Sequence, residues 1–158
     1  MALGVVVTMG EHLPIENMEV FKIFEGVSDW CWEAVSKWPR FAQDTLGRHL
    51  VTSADSVNAN LVEGDGRYSD PDATKFFVIA RGSAREARLW IRRAVKRNLV
   101  RGDEGERQIE AIHCGARFLN NLISYRRKSK NRNMVKESSA TYSTQQHAEA
   151  DPFAEVMD

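Results

Sequence analysis

The chain has 158 residues and a mass of 17.9 kDa, enough for one domain with a single core and too little for a catalytic domain plus a separate binding domain. Hydrophobic residues at 42% and charged residues at 28% are globular proportions that argue against wholesale disorder and against a membrane protein. The net charge of zero is a sum of unlike blocks: residues 1–74 hold 5 Lys/Arg and 12 Asp/Glu, 75–133 hold 16 and 5, and 134–158 hold 1 and 5, so a basic middle lies between acidic ends.

The chain opens on an apolar run, Leu3 to Met9, with no Lys or Arg before it. It is too short to span a bilayer and lacks the charged start of an export signal. Residues 1–17 therefore read as an extension ahead of the fold, with the cytoplasm as the default location. From Val20 the apolar positions Val20, Phe24, Val27, Cys31, Ala34 and Trp38 step by four and three, one stripe of an amphipathic helix. Pro39 ends it by pushing its predecessor out of helical geometry. A second stripe, Leu46, Leu50, Ser53, Val57 and Asn60, broadened by Ala54 and Leu61, stops at Gly64, the expected left-handed residue at a helix end.

Asp70-Pro71-Asp72 reads as an N-cap, a proline at the first helical position and a carboxylate suited to the helix dipole. The third stripe is Phe76, Ala80, Ser83, Ala87, Trp90 and Ala94, with Phe77, Ala84 and Ile91 alongside. Gly102 breaks it. Asp103 with Glu106 predicts a capping box opening a fourth helix, whose stripe is Ile109, Ile112, Ala116, Leu119 and Ile123. Four rods of about 30 Å with short connections pack antiparallel. The fold class is thus all-α, an up-down-up-down four-helix bundle over residues 18–130, and the polar, acidic segment 131–158 reads as a disordered tail. Cys31 and Cys114 are too few for a disulfide framework or a paired zinc site, and both read as buried thiols.

The strings "ADSVNANLVEGDGRYS" and "FFVIARGSAREARLWIRRA" resemble the signature of the small bacterial four-helix bundle proteins of 23S ribosomal RNA intervening sequences, to which the accessory proteins of diversity-generating retroelements are similar. The resemblance covers about Met18 to Lys130. It implies an antiparallel bundle assembling into a ring, commonly a pentamer, with nucleic acid or a nucleic-acid enzyme as partner and no catalytic activity. The retroelement accessory proteins are strongly basic, and this chain is neutral with an acidic tail.

Arg81, Arg85, Arg88, Arg92 and Lys96 are spaced 4, 3, 4 and 4 and so share one face of the third helix. Such a row can hold phosphates of RNA or DNA, releasing counterions as it does so. The plainer reading is a solvated face, or one paired with Glu25, Asp29 and Glu33 of the first helix. A second basic cluster, Arg126, Arg127, Lys128, Lys130 and Arg132, ends the fourth helix, where it could extend that row or simply suit a helix C-terminus as cations.

Phe21, Trp32 and Val35 on the first helix, with Phe118, Leu122 and Tyr125 on the fourth, form apolar rows beyond the needs of one core and predict self-association. Asn60, Glu63, Ser83 and Glu86 read as a polar network fixing helix register, with a catalytic Glu63–Glu86 pair as the minor alternative. Glu110 with His113 is one Glu-x-x-His unit. A di-iron bundle needs two such units, and the acids Glu63, Asp65, Asp70 and Asp72 lack EF-hand spacing. No metal, cofactor or membrane partner is therefore expected. The role that results is a non-enzymatic, ring-forming, nucleic-acid-associated scaffold or adaptor, and the alternative is a homo-oligomeric protein-interaction module.

Overall fold

The computed structural model describes the backbone of residues 13–148 and the side chains of 13–128. After a 3₁₀ turn, Ile15–Asn17, the chain forms α1 (Glu19–Ser36), α2 (residues 40–65), α3 (Asp70–Lys96) and α4 (Gly102–Ala148). Each helix packs antiparallel on its predecessor, and α4 closes the bundle on α1. This leaves α1 diagonally across from α3. No strand occurs among the described residues, and none of their helices is long and apolar enough to cross a membrane. The tail expected at 131–158 lies outside the described residues in all its side chains, and in its backbone from 149 onward.

The core follows the predicted stripes closely. Val20, Phe24, Val27 and Cys31 of α1 meet Leu50, Ala54, Val57 and Leu61 of α2, Phe77, Ile91 and five alanines of α3, and Ile109, Ile112, Leu119 and Ile123 of α4. On α3 the inward line is Phe77, Ala80, Ala84, Ala87, Ile91 and Ala94. Phe76, Ser83 and Trp90, placed on that stripe by spacing, sit half-buried on the flank toward α2. Ile15 also belongs to the core, at 1% exposure, so the bundle begins before Met18.

The helix ends depart from expectation at instructive places. Gly64 is not a left-handed cap, since α2 runs through it to Asp65. It is a close-approach residue: a Cβ there would stand 2.6 Å from Phe77 Cε1 and 3.1 Å from the Ala73 carbonyl oxygen. The left-handed residue is Asn98, at φ 57°. Its N–H donates to the Val95 carbonyl at 3.0 Å, and that of Leu99 donates to Ala94 at 3.0 Å, the paired bonds of a Schellman termination. Thus α3 stops at Lys96, and Gly102 is the first residue of α4.

Ser69, rather than Asp70, caps α3, with its hydroxyl accepting from the Asp72 N–H at 3.4 Å and donating to the Asp72 carboxylate at 2.8 Å. Lys75 and Ser69 together hold the Asp72 carboxyl below its ordinary range. The Asp103 carboxylate binds Arg101 and Arg107, each at 3.1 Å, where a capping box was expected.

Helix α2 starts earlier than its stripe predicts. A short helical turn, Arg40–Ala42, leads through a π turn, Gln43–Gly47, into Arg48–Asp65. The extra residue in a π turn rotates what precedes it. Here it sends Leu46 inward and lays Gly47 on Val35, whose Cγ1 would be 2.6 Å from an added Cβ.

Replacing Gly64 by Ala is expected to lower unfolding free energy by about 1–3 kcal/mol through overpacking against Phe77. The control Gly82→Ala, where nothing lies within 4 Å, raises it by up to about 1 kcal/mol through helix propensity. Urea denaturation distinguishes the two. Burial, and secondarily the Asp55 charge, pushes the Cys31 thiol up to about 12, whereas Cys114 is half-buried. Alkylation at pH 8 followed by mass spectrometry should therefore mark Cys114 in the native protein and Cys31 only after unfolding.

Candidate nucleic-acid interface

The arginine row of α3 lies along its border with α4. Arg81 Nη1 donates to Asn120 Oδ1 at 3.0 Å, and Arg88 Nη1 contacts His113 Nε2 at 2.8 Å. These contacts fall seven residues apart on both helices in opposite directions, so Ala116 of α4 stands level with Arg85 and Arg117 follows it. Arg85, Arg92 and Lys96 are exposed, and none has a hydrogen-bond or ion-pair partner among the described residues. The row therefore divides into two guanidiniums held in the groove and three free cations outside it. Arg117, exposed on α4, joins the face from the neighbouring helix. Sequence spacing along one helix could not reveal it.

Neither anchored arginine rests on a carboxylate: Arg81 meets the amide oxygen of Asn120 and Arg88 a ring nitrogen of His113. Glu25, Asp29 and Glu33 are exposed on α1, the diagonal helix. The pairing envisaged between them and the arginine row does not form within one chain.

The second basic cluster is divided as well. Arg126 is not a solvated helix-end cation: its Nη1 meets Asp70 at 2.9 Å and its Nη2 meets Asp65 at 3.4 Å. Asp65 in turn accepts the Ile15 N–H at 3.2 Å. This half-buried clamp ties α4, the α2–α3 connection and the first turn together. Sequence spacing misses it because its members are about fifty to sixty residues apart. Arg127 and Lys128 are exposed, and the side chains of Lys130 and Arg132 lie outside the described residues.

Of the four residues expected to form a polar network, two do so. Asn60 donates to the Ser56 carbonyl at 2.7 Å and to its hydroxyl at 3.1 Å, and that hydroxyl meets Ser83 Oγ at 3.1 Å across the α2–α3 border. Glu63 and Glu86 are exposed and turn elsewhere. Glu63 pairs with Arg67, and Glu86 accepts from Trp90 Nε1 at 3.2 Å, where the Trp90 ring stacks on His49 at 4.9 Å.

Because Ser56 faces Ser83 in an antiparallel pair, Glu63 lies about ten residues along the border from Glu86, or about 15 Å. The structure does not bring the two carboxylates together as a catalytic pair. Among the described residues no group of three or more His, Cys, Asp or Glu is placed to hold a metal ion.

The apolar rows fall on two faces that share α1. Phe21 and Trp32 lie on its flank toward α2, where the Asn58 amide donates to the Phe21 carbonyl and Ser28 bonds Asp55. Trp32, 66% exposed, borders a recess of about 290 Å³ with Val51. Val35, at 9% exposure, belongs to the core beneath Gly47 and not to a surplus row. Phe118, Leu122 and Tyr125 line the other face, in a groove of about 820 Å³ between α4 and the start of α1. Tyr125 there is 63% exposed. Phe41, 80% exposed at the start of α2, escaped the periodicity reading because it precedes the stripe.

No curated protein matches the chain. A solved structure of a protein of unknown function from the S23 ribosomal protein family of Bacteroides thetaiotaomicron superposes with a TM-score of 0.59 at 16% identity, over 66% of this chain and 97% of that one. At that identity the likeness speaks for the bundle alone. The family model described as 23S rRNA-intervening sequence protein matches residues 16–121, from the turn before α1 through most of the α4 stripe. With the antiparallel bundle already in hand, a match over that span places this chain in the 23S rRNA-intervening sequence protein family.

Proposed function

We propose that the protein is a non-enzymatic scaffold that assembles head to tail into a ring and carries nucleic acid on the basic face of α3 and α4. The observation that carries this reading is the diagonal placement of α1 and α3. Two apolar patches on adjacent faces meeting at α1 favour a contact in which one face of a copy receives a different face of the next, and such a contact closes into a ring when the rotation allows. Neighbours approaching on those two faces turn α1 toward the ring axis and α3 away from it, leaving Arg85, Arg92 and Lys96 open to solvent. Free guanidiniums beside two anchored ones suit phosphate oxygens, which supply affinity without sequence preference. The family description refers to an insertion in a ribosomal RNA gene and is consistent with an RNA-linked role. A protein-interaction module without nucleic-acid binding is the competing reading.

Fluorescence anisotropy with a labelled 20-base-pair RNA duplex tests the first element. Binding should weaken by about tenfold or more between 50 and 200 mM salt, as expected for several phosphate contacts. R85E/R92E should weaken it by at least about tenfold at fixed salt. Absence of binding at 50 mM salt would favour the competing reading.

Light scattering tests the second element. W32E and F118E should each be monomeric alone, yet their mixture should form a dimer, because each variant retains the face that the other lacks. A mixture that stays monomeric, or single variants that still assemble fully, would sink the head-to-tail contact.

A further inference from the structure

The contact between Arg88 and His113 is a hydrogen bond in only one form of the ring. A guanidinium has only donors, so Arg88 Nη1 at 2.8 Å from His113 Nε2 requires that nitrogen to be bare. The neutral ring then carries its proton on Nδ1, which lies 3.7 Å from Glu110 Oε2. Adding a proton at Nε2 sets N–H against N–H, and the contact with Arg88 cannot survive.

The charged groups around the ring are arranged unevenly. From α3 it faces Arg88, with Arg85 and Arg92 a turn away on either side. From α4 it has Glu110 and Arg117, with the half-buried Cys114 thiol adjacent in sequence. Helix α1 packs on the opposite flank of α4, where its Glu33 and Lys37 border a recess with Glu104. A phosphate held by the free arginines of this face would therefore come close to the ring on its cationic side.

We propose that His113 is a proton-gated phosphate ligand: when neutral it holds Arg88 in the groove, and when protonated it releases Arg88 so that both cations face a bound phosphate. This rests on the nucleic-acid reading of the same face. Imidazole is the side chain that gains charge between pH 8 and pH 5. If the imidazolium form binds phosphate better, then binding must take up a proton, by the reciprocity of linked equilibria. The proton comes from solvent, and affinity rises as pH falls.

The test uses the full chain, the labelled 20-base-pair RNA duplex and constant ionic strength. From pH 7.5 to pH 5.5 the wild type should tighten by about tenfold, within the usual range of coupling between two sites. H113Q, which keeps an acceptor for Arg88 and cannot become charged, should change by less than about twofold. Equal tightening in both proteins overturns the gate and leaves the basic-face reading standing, since that reading is judged separately by R85E/R92E at pH 7.5. No binding of the duplex by the wild type at either pH overturns both.

Calorimetry with inorganic tripolyphosphate at pH 6.5, in two buffers of different ionisation enthalpy, supplies a readout without RNA. Wild type should take up a fraction of a proton on binding and H113Q none. Binding by wild type without proton uptake overturns the gate.

Discussion

The connections between consecutive helices are a few residues long, and that brevity governs what the rest of the molecule can do. Helices joined by residues 37–39, 66–69 and 97–101 must be antiparallel neighbours. Closing four of them leaves α1 beside α4 and puts α1 and α3 at opposite corners. Neighbouring axes in a bundle lie about 8–10 Å apart, so the diagonal is about 13 Å before side chains point outward. Attraction between exposed charges is largely screened beyond about 8 Å at physiological salt. The acids of α1 and the cations of α3 therefore behave as separate faces, and a chain of zero net charge presents two surfaces of opposite sign.

That separation was only half legible in the sequence. The charge blocks were plain, and so was the bundle, because apolar residues at steps of three and four leave few choices for 20–38, 46–64, 76–94 and 109–123. What a single chain does not reveal is which helix lies across from which residue. Gly64 illustrates this: glycine serves equally for a left-handed cap and for close packing, and only Phe77, thirteen residues later, decides between them. Asn98 carried a usable signal, since asparagine tolerates positive φ and follows the last periodic residue. Arg126 looked like a helix-end cation until the fold brought Asp65 and Asp70 to it. Val35 looked surplus to one core until the π turn of α2 placed Gly47 against it. In each case the local rule was sound and a tertiary partner altered its outcome.

The apolar surface follows the same logic. A two-fold contact needs one patch complementary to itself, whereas Trp32 and Tyr125 stand on different faces and near opposite ends of α1. Faces about 90° apart suit a closed ring of few members, with the bundles inclined to bring patches at different heights together. Covering these aromatics would give the proposed contact its drive, at roughly 25 cal/mol for each Å² removed from water. The corner between those faces belongs to α1, so in the proposed ring the acidic helix would turn inward and the basic one outward.

The basic face itself is costly to the fold, which is the reason to regard it as more than a solvated surface. Like charges about 6 Å apart, one helical turn, repel by about 0.7 kcal/mol in water before screening. Among the described residues neither Arg85 nor Arg92 forms an ion pair, and Glu110 of α4 lies 3.7 Å from His113 Nδ1 instead. Where it does restrain the row, at Arg81 and Arg88, it uses the amide of Asn120 and the ring of His113. A carboxylate in either place would have neutralised the charge while ordering the side chain. An acceptor that is not a carboxylate orders it without neutralising it, so under the proposed reading part of the entropy lost on gripping an anion would already be spent during folding. Of the two acceptors, the amide is fixed in charge and the imidazole is not, and that difference makes Arg88 the position at which the strength of the whole face can respond to its surroundings.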